Sequence, residues 1–154
     1  MVLALVQDDF LYRVVYLLHI AAIVVAFAAA IVNPRLGGLA TRSDDATARL
    51  ISRFIVDGSK AIHFPALVLV GLLGIVMVLL SEGDLYEFSQ AWISIAFVLW
   101  FAMMGILWFL LIPAERRLAE GPSEADEKKV AMFGGTMHLL FALMLVDMVW
   151  KPGV

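Results

Sequence analysis

Four long apolar runs take up most of this chain, and they confine it to folds that live in lipid. They cover 11–32, 61–80, 91–112 and 130–150. Each is about 20 residues, the length at which a helix crosses roughly 30 Å of hydrocarbon. The chain is 63% hydrophobic and only 16% charged, whereas a soluble domain carries about 25% charged residues. Outside the runs too little chain remains for a second domain. The predicted fold is therefore all-α: a single polytopic domain over 1–154, built as a four-transmembrane-helix bundle. Its connections are short, which favours an up-and-down order.

Orientation follows from where the cations lie. Arg35, Arg42, Arg49, Arg53 and Lys60 fall between spans one and two; Arg116, Arg117, Lys128 and Lys129 fall between spans three and four. These are nine of the 11 Lys and Arg residues; Arg13 and Lys151 complete the set. Basic loops stay on the cytoplasmic side. Both termini are thus expected outside, in the inner membrane of a bacterium. The acidic loop with Glu82, Asp84 and Glu87 then faces outward, and Tyr12, Tyr86, Trp92 and Trp150 line up as an interfacial aromatic belt. Residues 1–6 are apolar but lack a basic n-region, so the first span is expected to act as a retained insertion signal.

The first basic loop has its own pattern. Asn33-Pro34 is expected to end helix one, because proline removes a ladder donor and turns its predecessor away from the α region. Ser43-Asp44-Asp45 is an N-cap cluster, and Ala46, Leu50 and Phe54 recur at helical spacing behind it. This predicts a basic amphipathic helix over 44–56 lying on the membrane surface; the alternative is an N-terminal extension of helix two, against which Asp57-Gly58 argues as a break. In the second basic loop, Glu115 to Leu118 extends helix three by a turn, and Ser123 opens helix four with acids in its first turn. Small residues mark expected helix contacts: Ala22, Ala26 and Ala30, then Gly71 and Gly74, Ala102 and Gly105, and Gly134-Gly135.

Few residues inside the spans carry chemistry. There are three histidines, His19, His63 and His138, and no cysteine. Without cysteine there is no disulfide, thiolate metal site or covalent c-type haem. His19 lies roughly 9 Å from one membrane boundary and His138 about 13 Å from the other, so the two come to similar heights. Neutral imidazoles from two helices of a bundle can hold a b-type haem, which makes His19 and His138 the candidate cofactor ligands. His63, nearer the boundary, and the soft thioether of Met137 are candidate metal ligands. Each of the histidines can equally hydrogen-bond across to a neighbouring helix, and methionine commonly fills apolar gaps. Asp147 is expected to anchor the outer end by pairing with Arg13 or Lys151. There is no phosphate-binding glycine loop, no Ser/His/Asp spacing and no HExxH. The basic loops also contain acids, so they fit topology and anionic lipid, and not a nucleic acid.

Several stretches together resemble a known family. They are Leu17-Leu18-His19-Ile20-Ala21-Ala22 in helix one, Phe64-Pro65-Ala66-Leu67-Val68-Leu69-Val70-Gly71 in helix two, Pro113-Ala114-Glu115-Arg116-Arg117-Leu118 after helix three, and Met148-Val149-Trp150-Lys151-Pro152-Gly153 at the end. The chain is similar over nearly its whole length to bacterial four-helix integral membrane proteins that form a family of unknown function. A more distant similarity, through the leucine-histidine pair at His19, is to copper-resistance D proteins and HemJ-type protoporphyrinogen oxidases. The latter resemblance implies haem, with His19 as the matching residue. This chain has Val25-Ala26-Phe27 where those proteins often carry Trp-x-Gly.

Three functions remain open on these residues. The foremost is a non-enzymatic membrane interaction or assembly protein, with lipid and a second copy or another membrane protein as partners. The alternative is a protein binding b-type haem or porphyrin, in electron transfer or porphyrin oxidation. The third is a metal or small-solute permease. No residue pattern fixes whether the chain is an enzyme.

Overall fold

A computed structural model describes residues 10–81, 86–121 and 123–153. The apolar segment 1–6 and Glu82 and Asp84 of the acidic loop lie outside the described residues. The elements are α1 (Phe10–Ala40), α2 (Asp45–Gly58), a π-helical turn (Ser59–His63), α3 (Phe64–Leu79), α4 (Ala91–Gly105), a second π-helical turn (Ile106–Leu111), α5 (Ile112–Glu120) and α6 (Glu124–Trp150). Joined through their π turns, they make four helices long and apolar enough to cross a membrane: Phe10–Ala40, Asp45–Leu79, Ala91–Glu120 and Glu124–Trp150.

The helices run further than the apolar runs. α1 does not stop at Asn33 but carries Pro34 inside it and continues through Gly37 and Gly38. Proline is tolerated within a membrane helix where neighbouring groups hold the loosened turn. Here Asn33 donates from Nδ2 to Ser59 Oγ at 3.1 Å, which ties the Pro34 turn to the second helix.

The expected surface helix is real as a helix but not as a separate one. Asp44 caps it: Oδ1 accepts from the backbone of Ala46 and Thr47, each at 3.0 Å, and Oδ2 accepts the Thr47 hydroxyl at 2.8 Å. Those Thr47 bonds hold the Asp44 carboxyl below the usual carboxylate range. The expected break at Asp57-Gly58 does not occur, because Gly58 is helical at φ −62°, ψ −41°. α2 instead packs against α1 and α5. Its buried face is Ile55, Val56 and Ser59, while Leu50 and Phe54 point outward. A buried stripe of that kind anchors a helix more firmly than one glycine loosens it.

Both π turns end two residues before a proline, Pro65 and Pro113. A proline ring crowds the carbonyl four residues back. Widening the preceding turn relieves that clash, and the bonds shift accordingly: Phe64 N–H reaches Ser59 C=O, and Ile112 N–H reaches Leu107 C=O. The first π turn carries Ser59 and His63, and the second delivers Glu115.

The core is Leu67, Trp100, Met103, Leu107, Leu111, Ile112 and Met137. α1 packs on α3, and α4 on α6. Trp100 Nε1 donates to Leu67 C=O at 2.8 Å, with the indole lying across Gly71. Ala22 and Ala26 are buried on α1 as the small-residue row suggested. Gly134 and Gly135 are not contact points: a Cβ at either meets nothing within 4 Å.

The two ends differ. At the basic end, Arg117 of α5 pairs with Asp126 of α6 at 2.8 Å, and Lys129 reaches the same oxygen at 3.4 Å. At the aromatic end, Lys151 closes α6 in the left-handed region at φ 43°. Its Nζ donates to Tyr86 Oη at 3.3 Å and lies over the Tyr86 and Trp92 rings. Lys151 is thus not the partner of Asp147, whose two carboxylate oxygens have no hydrogen-bond partner among the described residues.

Candidate functional site

Two cavities open between the helices, and each takes different histidines. The one at the aromatic end is about 710 Å³ and is lined by His19 with Tyr12, Trp92, Trp100 and Phe141. His19 is hydrogen-bonded to the backbone of Val70 on α3. Its ring also stands over Gly74, with Cε1 3.5 Å from where a Cβ would sit. In this place the imidazole cross-links α1 to α3.

The cavity at the basic end is about 740 Å³. His63, His138, Met137, Glu115 and Asn33 all line it. The structure therefore separates the expected haem pair, His19 and His138, and instead brings His138 together with His63. Equal height does not put two side chains on facing sides of their helices. His19 turns toward α3, while His138 lines the opposite cavity. His19 and His138 line different cavities.

His138 has a fixed tautomer. Its Nδ1 lies 2.7 Å from the Gly134 carbonyl. A carbonyl only accepts, so Nδ1 carries the proton and Nε2 is left as an acceptor. His63 is 4% exposed, and its Nδ1 has no protein partner among the described residues.

Glu115 is the residue that the sequence pattern concealed. It is as buried as His63, at 4% exposure. Ser59, with no exposed surface, lies at the centre of a junction of three helices. It accepts from Asn33 of α1 and hydrogen-bonds to the Glu115 carboxyl of α5. The other carboxyl oxygen, Oε2, has no protein partner among the described residues. None of the ion pairs found there includes Glu115.

Among the described residues no three His, Cys, Asp or Glu side chains are grouped to hold an ion. Met137 belongs to the apolar core as well as to the cavity wall. What the arrangement offers is a mostly apolar chamber with a few buried polar groups on one side. Ligand sites are commonly built that way, at volumes of about 300–1,000 Å³.

The family described as "Predicted integral membrane protein (DUF2269)" matches residues 13–152. The chain belongs to this family. No curated protein and no solved structure matches it. The matched stretch of this DUF2269 member takes in all four spanning helices almost entirely, and with them the three histidines, Ser59 and Glu115.

Proposed function

We propose that this DUF2269 protein binds a small amphipathic molecule in the basic-end cavity, within the helix bundle. The observation that carries this is the pair of buried residues on its wall, His63 and Glu115, each with a polar atom that has no protein partner among the described residues. Buried polar groups in folded proteins nearly always have a partner, and an unmade bond there costs about 1–3 kcal/mol. A bound molecule in the cavity is placed to supply those bonds.

The test is what the purified protein carries. Organic extraction and mass spectrometry should recover one small molecule in stoichiometric amount. Gly134 lines the cavity, and a Cβ there meets nothing within 4 Å, so Gly134→Leu should narrow the chamber. That variant should fold normally and lose the molecule. A Soret band in the extract, lost in His138→Ala, would identify the ligand as a tetrapyrrole. Wild type and Gly134→Leu carrying the same traces of lipid would sink the binding function and favour an interaction or assembly role.

We also propose that the basic end faces the cytoplasm of a bacterial inner membrane. Arg35, Arg42, Arg116 and Arg117 all gather at that end, which supports it. Labelling of intact cells with an impermeant thiol reagent should reach Glu87→Cys and miss Ser123→Cys. The reverse pattern would invert the protein.

A further inference from the structure

The polar side of the basic-end cavity narrows the chemistry of its ligand. We infer that the cavity takes a protonated amine on a compact apolar body, with the ammonium group set among Glu115, His63 and His138. This rests on the binding function proposed above and names its ligand class.

Three observations converge on it. The first is a missing countercharge. Glu115 is buried, and none of the ion pairs among the described residues includes it. A buried carboxylate is retained where a cation or several donors compensate it. Here Ser59 serves one oxygen and leaves Oε2.

The second is the match of donors to acceptors. Oε2 of Glu115 accepts. Nε2 of His138 accepts, because Nδ1 carries the proton toward Gly134. Nδ1 of His63 has no partner among the described residues and accepts in the tautomer protonated at Nε2. An ammonium group has three donors and no acceptor. A carboxylate or phosphate has only acceptors and finds no donor among these three atoms.

The third is the sign of the wall. Its charged residues are Asp45, Glu115 and Glu127 against Arg49, three acids to one base. Asp45, Arg49 and Glu127 are exposed, so Glu115 is the charge on this wall that an entering group meets away from solvent.

The experiment uses three probes of one shape: 1-adamantylamine, 1-adamantanol and 1-adamantanecarboxylate. Binding to the detergent-purified full chain is read by calorimetry. The amine should bind at least about tenfold more tightly than the alcohol or the acid, a difference of about 1.4 kcal/mol. Glu115→Gln should erase that preference, and His138→Gln, which leaves the Ser59 junction intact, should weaken it if Glu115→Gln fails to fold. His19→Ala, in the other cavity, should leave it unchanged. Gly134→Leu should abolish binding of the amine. If the alcohol or acid binds equally well and Gly134→Leu removes it, the cavity binds ligands but the amine class is wrong. If the amine binds undiminished to Gly134→Leu, or none of the probes binds, the amine site falls.

Discussion

Gly71→Ala is expected to destabilise the protein by roughly 1–3 kcal/mol, although it adds a single methyl group to an apolar helix. A Cβ on Gly71 would overlap Trp100 Cε2 and Cζ2. These are ring atoms of a rigid indole, and no rotation about a flexible end relieves them. The ring is also held from its other edge, since Nε1 donates to Leu67 C=O at 2.8 Å. Trp100 must therefore leave its site or push α3 and α4 apart. Overpacking a core costs about 1–3 kcal/mol, the lost indole bond adds about 1 kcal/mol, and the better helix propensity of alanine returns up to about 1 kcal/mol. Gly74→Ala is the control. His19 Cε1 is 3.5 Å from its Cβ position, an ordinary contact. There the better helix propensity of alanine, up to about 1 kcal/mol, should hold stability level or raise it. Thermal unfolding of both variants in the same detergent decides the point. Equal melting temperatures would show that Trp100 does not need the Gly71 surface.

The spanning segments were legible because one quantity, apolar length, determines them in lipid. Their ends were not, and the misses share a cause. Pro34 and Gly58 are local signals for stopping a helix, and each is outweighed by contacts from elsewhere in the chain. Asn33 is pinned by Ser59, 26 residues away. Gly58 is carried by neighbours that are buried on one face. That second miss had a visible counter-signal. Ile55, Val56, Ser59, His63, Ala66 and Leu67 keep a helical period straight across Gly58, and all six are buried. Following the apolar face across the glycine would have joined α2 to α3.

The site was half legible. Histidines inside apolar runs stand out by type, and all three line cavities. Their pairing did not follow, since sequence distance from a boundary gives height but not the direction a side chain takes around its helix. Glu115 was hidden by its neighbours. Between Pro113-Ala114 and Arg116-Arg117 it reads as part of a solvated loop. Its row tells otherwise: Leu107, Leu111, Glu115 and Ala119 recur at four-residue spacing, and all four are buried. An acid in the middle of an apolar row is a stronger signal than an acid near the end of an apolar run.

Ser59→Ala should cost about 2 kcal/mol and loosen α1 beyond Pro34 before anything else gives way. The hydroxyl has two partners, Asn33 Nδ2 at 3.1 Å and the Glu115 carboxyl. Removing it strands a donor on one helix and an acceptor on another, each penalised by about 1–3 kcal/mol when buried. Single side-chain bonds between membrane helices measure less, about 0.6 kcal/mol on average and 1.7 at most, because an unfolded segment finds other partners in the membrane. Ser59 makes two such bonds from a fully buried position, which places the loss near the upper figure. The effect should also be local. Pro34 cannot donate to the helix ladder, so the turn that it interrupts depends on the side-chain anchor just before it. Hydrogen exchange in detergent should accelerate over 35–40 in Ser59→Ala and stay unchanged in α4. Asn33→Ala should reproduce the fraying of α1 while leaving the Ser59–Glu115 bond intact. If exchange over 35–40 is the same in wild type and both variants, the extension of α1 past its proline is held by its own packing and not by the Asn33–Ser59–Glu115 junction.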